Sequence, residues 1–475
     1  MNRFPDNLTP NMVEGINSFN LCVFLMGLEG WRRGLELTFY HDMNEYTEMR
    51  TQRKSRFGRS YSLKSKDKIH YFYQSRGDKV SNKAVKIAQS KQLTKEYLKK
   101  DKVSTLPSIQ FTSSHTNNDI ISQVDEIGFP LIIKPTYGTL SKGVILNIKN
   151  KNELALALEE VRVKMGYKNI IVERYFDGDD IRLYVVKNKV VAAIRRVPAK
   201  VKGDGQKTIQ ELIEIKNDSR ITNPYLNARR IKINQETRTI LQKQGYELNS
   251  VLEENITILV KNKSTMSQGV DLFDITDTIT KNVKEMAVNT IHSLPNMEHG
   301  SVDMLFDGKQ AYVIEVNASA NISLHMFPTE GKPRNVMGAI IDYYFPETIG
   351  KAELHKNMYF DYLDIVKVLK KNYTNFIKLR TLGQQQIVAN KYIISGDIDY
   401  NKYAARVLKY ATDHELYGSI QKQDSNNIKV IIASKDVRRI EDSLNILKKN
   451  SKNIIIHDVE ASEWQEEINN GFLVF

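Results

Sequence analysis

The chain has 475 residues, too many for one compact core, and its 41% apolar share suits a globular protein of about two to four folding units. A single cysteine, Cys22, excludes an internal disulfide or a cysteine metal cluster, and its apolar neighbours read it as a core residue rather than a nucleophile. A net charge of +13 points to acidic small molecules or acidic surfaces as partners.

The first predicted element is a helix over residues 10–34, followed by a strand in GLELTFY (34–40). The apolar run Asn20 to Leu28 inside that helix is too short to cross a bilayer and has no basic leader, so a cytoplasmic protein without a membrane span is expected. Arg50, Arg53, Lys54, Arg56, Arg59, Lys64, Lys66 and Lys68 then concentrate the positive charge, which reads as a solvated loop. No repeat, zinc spacing or nucleic-acid motif accompanies it, so nucleic acid is not expected as a partner. A strand near KIHYFYQS (68–75) and a helix over 83–100 complete a small N-terminal α/β unit.

Strands and helices alternate from about 105 to 350. Strands are predicted in PLIIKP (130–135), GVILNI (143–148), NIIVERYF (169–176) and NITILV (255–260), and a hairpin over 181–197 turns at Lys187 to Lys189. Helices are predicted over Lys151 to Met165, Thr208 to Asn217 and Asp277 to Ser293. A helical stretch, Lys351 to Leu379, leads to a last unit over 386–459 in which the order strand, helix, strand, strand, helix, strand is that of a split β-α-β sandwich.

Three segments carry candidate chemistry. In SVDMLFDGKQAYVIEVN (301–317), Asp303, Glu315 and Asn317 interrupt an apolar strand pair with hard oxygen donors suited to magnesium. Glu315 and Asn317 share a face because they are two residues apart. Asp303 joins them only if the intervening turn has the right parity. A two-residue Asp-Gly turn would put it on the other face, so an odd-numbered loop is expected. In IIKPTYGTLSKGVIL (132–146), Lys134 ends a strand before a loop containing Gly138, Ser141 and Gly143, a pattern that lets a lysine and backbone amides approach phosphate. In VERYFDGDDIRLYVV (172–186), Glu173, Asp180 and Arg182 cluster around a short turn, where backbone groups can meet an adenine edge and a carboxylate can meet ribose hydroxyls. Arg195 and Arg196 face opposite sides of their strand, so only one of them can serve the site, and parity does not say which.

In this order and spacing the segments resemble the ATP-grasp ligases over roughly 85–348, and are especially similar to the ATP-grasp domains of cyanophycin synthetase and of bifunctional glutathione synthetases. The subgroup likeness rests on RRVPAKVKGDGQKTIQELIEIKN (195–217), STMSQGVDLFDITD (264–277) and NASANISLHMFPTEGKPRNV (317–336). The resemblance implies Lys91, Lys134 and Ser141 on ATP phosphates, Glu173, Arg174, Tyr175 and Phe176 at the adenine, Asp180 at the ribose, and Asp303, Glu315 and Asn317 on magnesium. Two magnesium ions are expected, with manganese as a substitute. The chemistry it implies needs charge stabilisation on the transferring phosphoryl group and the tetrahedral oxyanion, for which the candidate arginine is Arg182, with Arg195 as the alternate. The activity implied joins a carboxylate to an amine through an acylphosphate, on amino-acid or peptide substrates. A phosphotransferase that stops at phosphorylation, or a nucleotide-binding scaffold, is the alternative. The positive charge allows anionic substrates, and a homo-oligomer is allowed as well. GDG (203–205) and STMSQG (264–269) are expected to border the site, with His325 a weaker candidate for it. Neither the Mur-like module of cyanophycin synthetase nor the glutamate-cysteine ligase module of the glutathione enzymes is recognisable in this sequence, so neither second reaction is implied.

The last unit resembles acylphosphatase: Gly396, Ala411, Leu416 and Gly418 match, while Ala404 and Lys422 stand where that family has its catalytic arginine and asparagine. The resemblance implies an inactive domain used for assembly or substrate presentation. The expected organisation is a small α/β domain (1–84), an ATP-grasp domain (85–350) with its lid at about 105–180, a helical linker (351–385), an acylphosphatase-like α+β domain (386–460) and a tail (461–475).

Overall fold

A computed structural model of the chain describes residues 4–51, 57–136, 143–262, 269–424 and 426–475. It divides into two compact units, one of residues 75–339 and one of residues 4–74 with 340–475. The N-terminal segment, expected as a domain of its own, shares its unit with the C-terminal part of the chain.

The unit 75–339 contains two main antiparallel sheets. The first orders its strands Ser108–Phe111, Ile170–Arg174, Leu131–Pro135, Ile145–Ile148. Alternate residues of its strands, among them Leu131, Ile133, Ile170 and Val172, bury one face beneath the helices Asn117–Gln123 and Lys151–Leu158. Lys134 and Glu173 therefore fall on the opposite face. The predicted helix to Met165 becomes a π-helical turn over Glu159–Lys164.

The second sheet orders Asp271–Asp274, Lys189–Val197, Asp179–Val186, His299–Phe306, Ala311–Asn317. Its apolar face, with Ile181, Leu183, Val185, Ala193, Val302 and Met304, packs against the helices Asn82–Ala88 and Lys281–His292. The helix expected over 83–100 is two helices, because Ser90 caps a second one, Lys91–Lys100, by accepting from Leu93 N at 3.3 Å. Residues 198–262 form a small insertion with its own core of Val201, Ile209, Ile213, Leu241 and Ile258. A capping box fixes the start of its helix Ile209–Ile221: Thr208 accepts from Glu211 N, and Glu211 accepts from Thr208 N.

In the other unit, the helix Ser18–Arg32 packs on strands ordered Phe376–Lys378, Glu36–Tyr40, Ser60–Lys64, Ile69–Tyr73. Two expectations change here. The basic segment contributes a strand, Ser60–Lys64, and its Arg53, Lys54 and Arg56 lie outside the described residues. The expected linker is partly strand, since Phe376–Lys378 pairs with Glu36–Tyr40 to complete the sheet.

The C-terminal sheet orders Ile454–Glu463, Val388–Ile398, Asn427–Ser434, Tyr417–Lys422, Phe472–Val474, with the helices Tyr400–Asp413 and Val437–Leu447 over one face. The expected tail thus supplies an edge strand, parallel to Tyr417–Lys422. Gly418 is required by close approach: a Cβ there would stand 1.9 Å from the Ile431 carbonyl oxygen.

Candidate functional site

The site is laid on the face of the second sheet that no helix of its apolar core covers. Asp303 is directly opposite Glu315, and Ser301 directly opposite Asn317, so all four share that face. The expected odd loop is not what achieves this. Phe306 pairs with Ala311, leaving a four-residue loop, and the parity is corrected by a bulge at Ile314 between the pairs Met304–Val313 and Asp303–Glu315. The same extra residue puts Val313 and Val316 together in the apolar core.

Asp303 is 3% exposed and accepts two hydrogen bonds from Arg182, Nε to Oδ1 at 2.6 Å and Nη2 to Oδ2 at 2.7 Å, and a third from Arg196 at 3.2 Å. Burial alone would raise its pKa, but the two guanidinium groups hold it down at about 2. Glu315 is exposed, and its carboxyl makes no hydrogen bond or ion pair among the described residues. Water withdrawn from that carboxyl by the surrounding protein, together with the facing Asp303 charge, raises its pKa against the pull of Lys91, Arg182 and Arg196. A cation between the two carboxylates would relieve this repulsion. The donor set fits a hard divalent ion: Glu315 and Asn317 offer free oxygens, and Asp303 keeps one of its roughly four lone-pair directions. Among the described residues no group of three or more His, Cys, Asp or Glu is disposed to hold a metal, so an ion here would use the Asn317 amide and ligand oxygens as well.

Arg182 and Arg196 are the arginines on this face. Arg196 pairs with Asp180 and with Asp303, whereas Arg195 turns to Asp179 at 3.1 Å and over the Phe273 ring at 5.4 Å. The alternate choice of Arg195 is corrected on this point: its side chain leaves the Asp303 cluster, and Arg196 takes the place. The register explains it, since Arg182 lies opposite Ile194, and Arg196 is two residues further along the same face. Asp180, expected at a ribose, is bound by Arg196 through two nitrogens.

On the first sheet, Glu173 is 1% exposed and bridges two lysines, Lys95 at 2.8 Å and Lys134. Burial pushes the Glu173 carboxyl up, and the lysines outweigh it, leaving the pKa lowered. Lys95 also donates to Leu106 O at 3.0 Å and Ser108 Oγ at 2.7 Å. Lys95 was missed in the sequence, although it stands four residues from Lys91 on one helix face. Arg174, Tyr175 and Phe176 line a cleft of about 540 Å³ with Leu106, Pro107, Pro130 and Tyr312. Phe176 and Tyr312 meet edge to face at 4.9 Å. The amides of Arg174 and Tyr175 are already used, donating to Pro107 O at 2.9 Å and Pro130 O at 2.8 Å. Ser141 and residues 264–268 of STMSQG lie outside the described residues. The GDG turn is internal to the insertion, with Asp204 capping Gln206 and Lys207.

Residues 88–208 match the RimK-like ATP-grasp domain family. The cyanophycin synthetase of Synechocystis sp. is 29% identical over 273 residues, 55% of this chain and 31% of that protein. That of Trichormus variabilis is 31% identical over 282 residues, 57% of this chain and 30% of that protein. The glutathione biosynthesis bifunctional protein of Listeria monocytogenes is 29% identical over 223 residues, 45% and 29% of the two chains. Among solved structures, a bifunctional glutathione synthetase from Pasteurella multocida aligns with a TM-score of 0.50 at 25% identity, over 62% of this chain and 41% of that one. Residues 88–208 thus carry a RimK-like ATP-grasp domain, and over the aligned residues the chain is a homologue of cyanophycin synthetase and bifunctional glutathione synthetase. It spans less than a third of the length of these curated relatives, whose shares are 31%, 30% and 29%.

Proposed function

We propose that the chain is an ATP-dependent carboxylate–amine ligase acting on amino acids or peptides, forming an amide through an acylphosphate and releasing ADP and phosphate. The observation that carries this reading is the carboxylate pair Asp303–Glu315 on one sheet face, with Glu315 unpartnered and Asp303 locked to Arg182. Asp303, Glu315 and Asn317 would hold divalent cations, two magnesium ions or manganese in their place, which supply Lewis-acid polarisation of phosphoryl oxygens. Lys134, with Lys91 and Lys95 on their helix, provides positive charge for the phosphates of ATP, and the 174–176 cleft receives the adenine. Arg182 spends Nε and Nη2 on Asp303 and keeps Nη1 for the reacting carboxylate and the oxyanion that forms when the amine attacks. No cysteine or triad nucleophile is needed. These substrates agree with a cytoplasmic setting, and among the described residues no helix is long and apolar enough to cross a membrane.

In this reading the C-terminal domain is acylphosphatase-like and inactive. Ala404 is buried in the apolar core, and the carboxylate of Asp399 caps the start of the helix Tyr400–Asp413 by accepting from Lys402 N at 3.3 Å, filling the place an anion would take.

The test is to incubate the purified chain with ATP, magnesium and pools of amino acids and dipeptides. ADP, free phosphate and a condensed mass are expected. Phosphate retained on the product would mean a phosphotransferase, and AMP with pyrophosphate would overturn the acylphosphate route.

A further inference from the structure

A turn of the insertion 198–262, at residues 223–226, is tied to the segment that follows the strand bearing Glu315 and Asn317. Asn223 Oδ1 accepts from Tyr225 N and Leu226 N, both at 3.0 Å, while its Nδ2 donates to Phe327 O at 3.1 Å, just beyond the short helix Ser323–Met326. Tyr225 is thereby held at 2% exposure, with the Arg229 guanidinium 4.0 Å from its ring centroid and its phenol within electrostatic reach of Arg182. The short helix carries His325, 1% exposed, whose ring stands edge-on to Tyr184 at 6.4 Å. Ser301, 0% exposed, lies opposite Tyr184 in the strand ladder and two residues from Asp303 on the same face.

The polar groups gathered here are unbalanced. Neither ring nitrogen of His325 and not the hydroxyl of Ser301 has a hydrogen-bond partner, and Arg182 Nη1 makes no hydrogen bond among the described residues. The nearby carboxylates are already taken: Asp303 by Arg182 and Arg196, Asp180 by Arg196, and Asp274 by Arg334. Buried donors without acceptors are costly, and native proteins seldom keep several together unless something completes them. A cluster with donors to spare and its acids neutralised matches an anionic, oxygen-bearing group, best a carboxylate on the planar guanidinium edge. For an amine the acceptors left besides Glu315 are uncharged ones, a His325 ring nitrogen, Ser301 Oγ and the Asn317 amide oxygen, while the other carboxylates are taken by arginines.

We infer that Arg182, Ser301 and His325 seat the carboxylate to be activated, and that Tyr225, brought in by the insertion, forms the wall that selects which carboxylic acid is accepted. This rests on the ligase reading and names the part of the chain that sets its specificity. Hydroxylamine tests it, because it captures an acylphosphate as a hydroxamate whatever the natural amine. The full chain is assayed with ATP, magnesium, hydroxylamine and a panel of N-acetyl amino acids and dipeptides. Ser301→Ala and His325→Phe should raise the carboxylate KM by about tenfold or more while leaving the ATP KM unmoved. Tyr225→Ala should reorder the panel, and Tyr225→Phe should keep the wild-type order. A structural role would not reorder substrates, and thermal melts identify any variant that fails to fold, leaving the two Tyr225 variants to decide. Unchanged carboxylate KM and panel order in folded variants would overturn this inference alone. No hydroxamate from the wild type with any acid would overturn the ligase reading and this inference with it.

Discussion

The second sheet of the ATP-grasp domain and the C-terminal sheet are both five-stranded, and each buries one apolar face beneath helices, yet their other faces differ in kind. In the first, Arg182, Tyr184, Ser301 and Asp303 are withdrawn from water, Arg182 paired with Asp303 and Tyr184 with His299 while Ser301 has no partner. In the second, the strand residues Lys391, Ile393, Ser395 and Lys429 remain half-exposed. Buried charge weakens a fold unless each group has a partner, so the first face is kept at a cost that packing alone does not explain. Such a cost marks a site, and among the described residues the C-terminal sheet carries no comparable buried ion pair.

The sharpest way to break this comparison is Asp303→Ala, which strands Arg182 in the interior and leaves Arg196 with Asp180 alone. A loss of about 3–5 kcal/mol in urea unfolding is expected, and a change near zero would mean that the arginines are not held as described. In the C-terminal sheet the matching perturbation is steric. Gly418→Ala drives a methyl into the Ile431 carbonyl and should cost about 1–3 kcal/mol while leaving ATP binding untouched. Loss of ATP binding in that variant would undo the separation of roles.

How far the sequence exposes each region follows the same division. The elements of the C-terminal sandwich were legible because alternation and helical period agree with its burial. Three strands of the first sheet, within 130–135, 143–148 and 169–176, and the 181–197 hairpin were legible for the same reason, whereas Ser108–Phe111 was not. The oxygen ligands were visible as polar residues in apolar strands, but the device that aligns them was not. Nothing in DMLFDGKQAYVIE distinguishes a four-residue loop with a bulge at Ile314 from an odd loop. Arg196 could not be preferred to Arg195 without the register against Arg182. Lys95 was hidden by its neighbour Lys91, and Tyr225 by the chain separation between its turn and Phe327, whose carbonyl Asn223 reaches.

Acid should act mainly on the buried face. His299 and His325 are fully buried, and desolvation lowers each pKa from 6.5 to about 3. Their folded values lie below the unfolded ones, so the stability tied to the neutral rings is complete above pH 6.5 and is lost as pH falls toward about 3. Melting temperature should fall across that window, less steeply in His325→Phe; an identical acid slope in that variant would contradict the assignment. A smaller effect belongs to the C-terminal domain, where Asp399→Ala removes a helix cap and should cost about 1 kcal/mol. The smallest change in stability, within about 0.5 kcal/mol, is expected for Glu315→Ala at an exposed position. The same variant should abolish turnover, and unfolding or full activity would each count against the platform.

The measurement closest to the central claim follows an oxygen atom. With pooled amino acids and dipeptides labelled with ¹⁸O in their carboxylates, ATP and magnesium, an acylphosphate route hands one labelled oxygen to the phosphate released alongside ADP. Labelled inorganic phosphate, formed by the wild type and not by Glu315→Ala, is the predicted result. Amide product accompanied only by unlabelled phosphate, or label recovered in AMP, would contradict it.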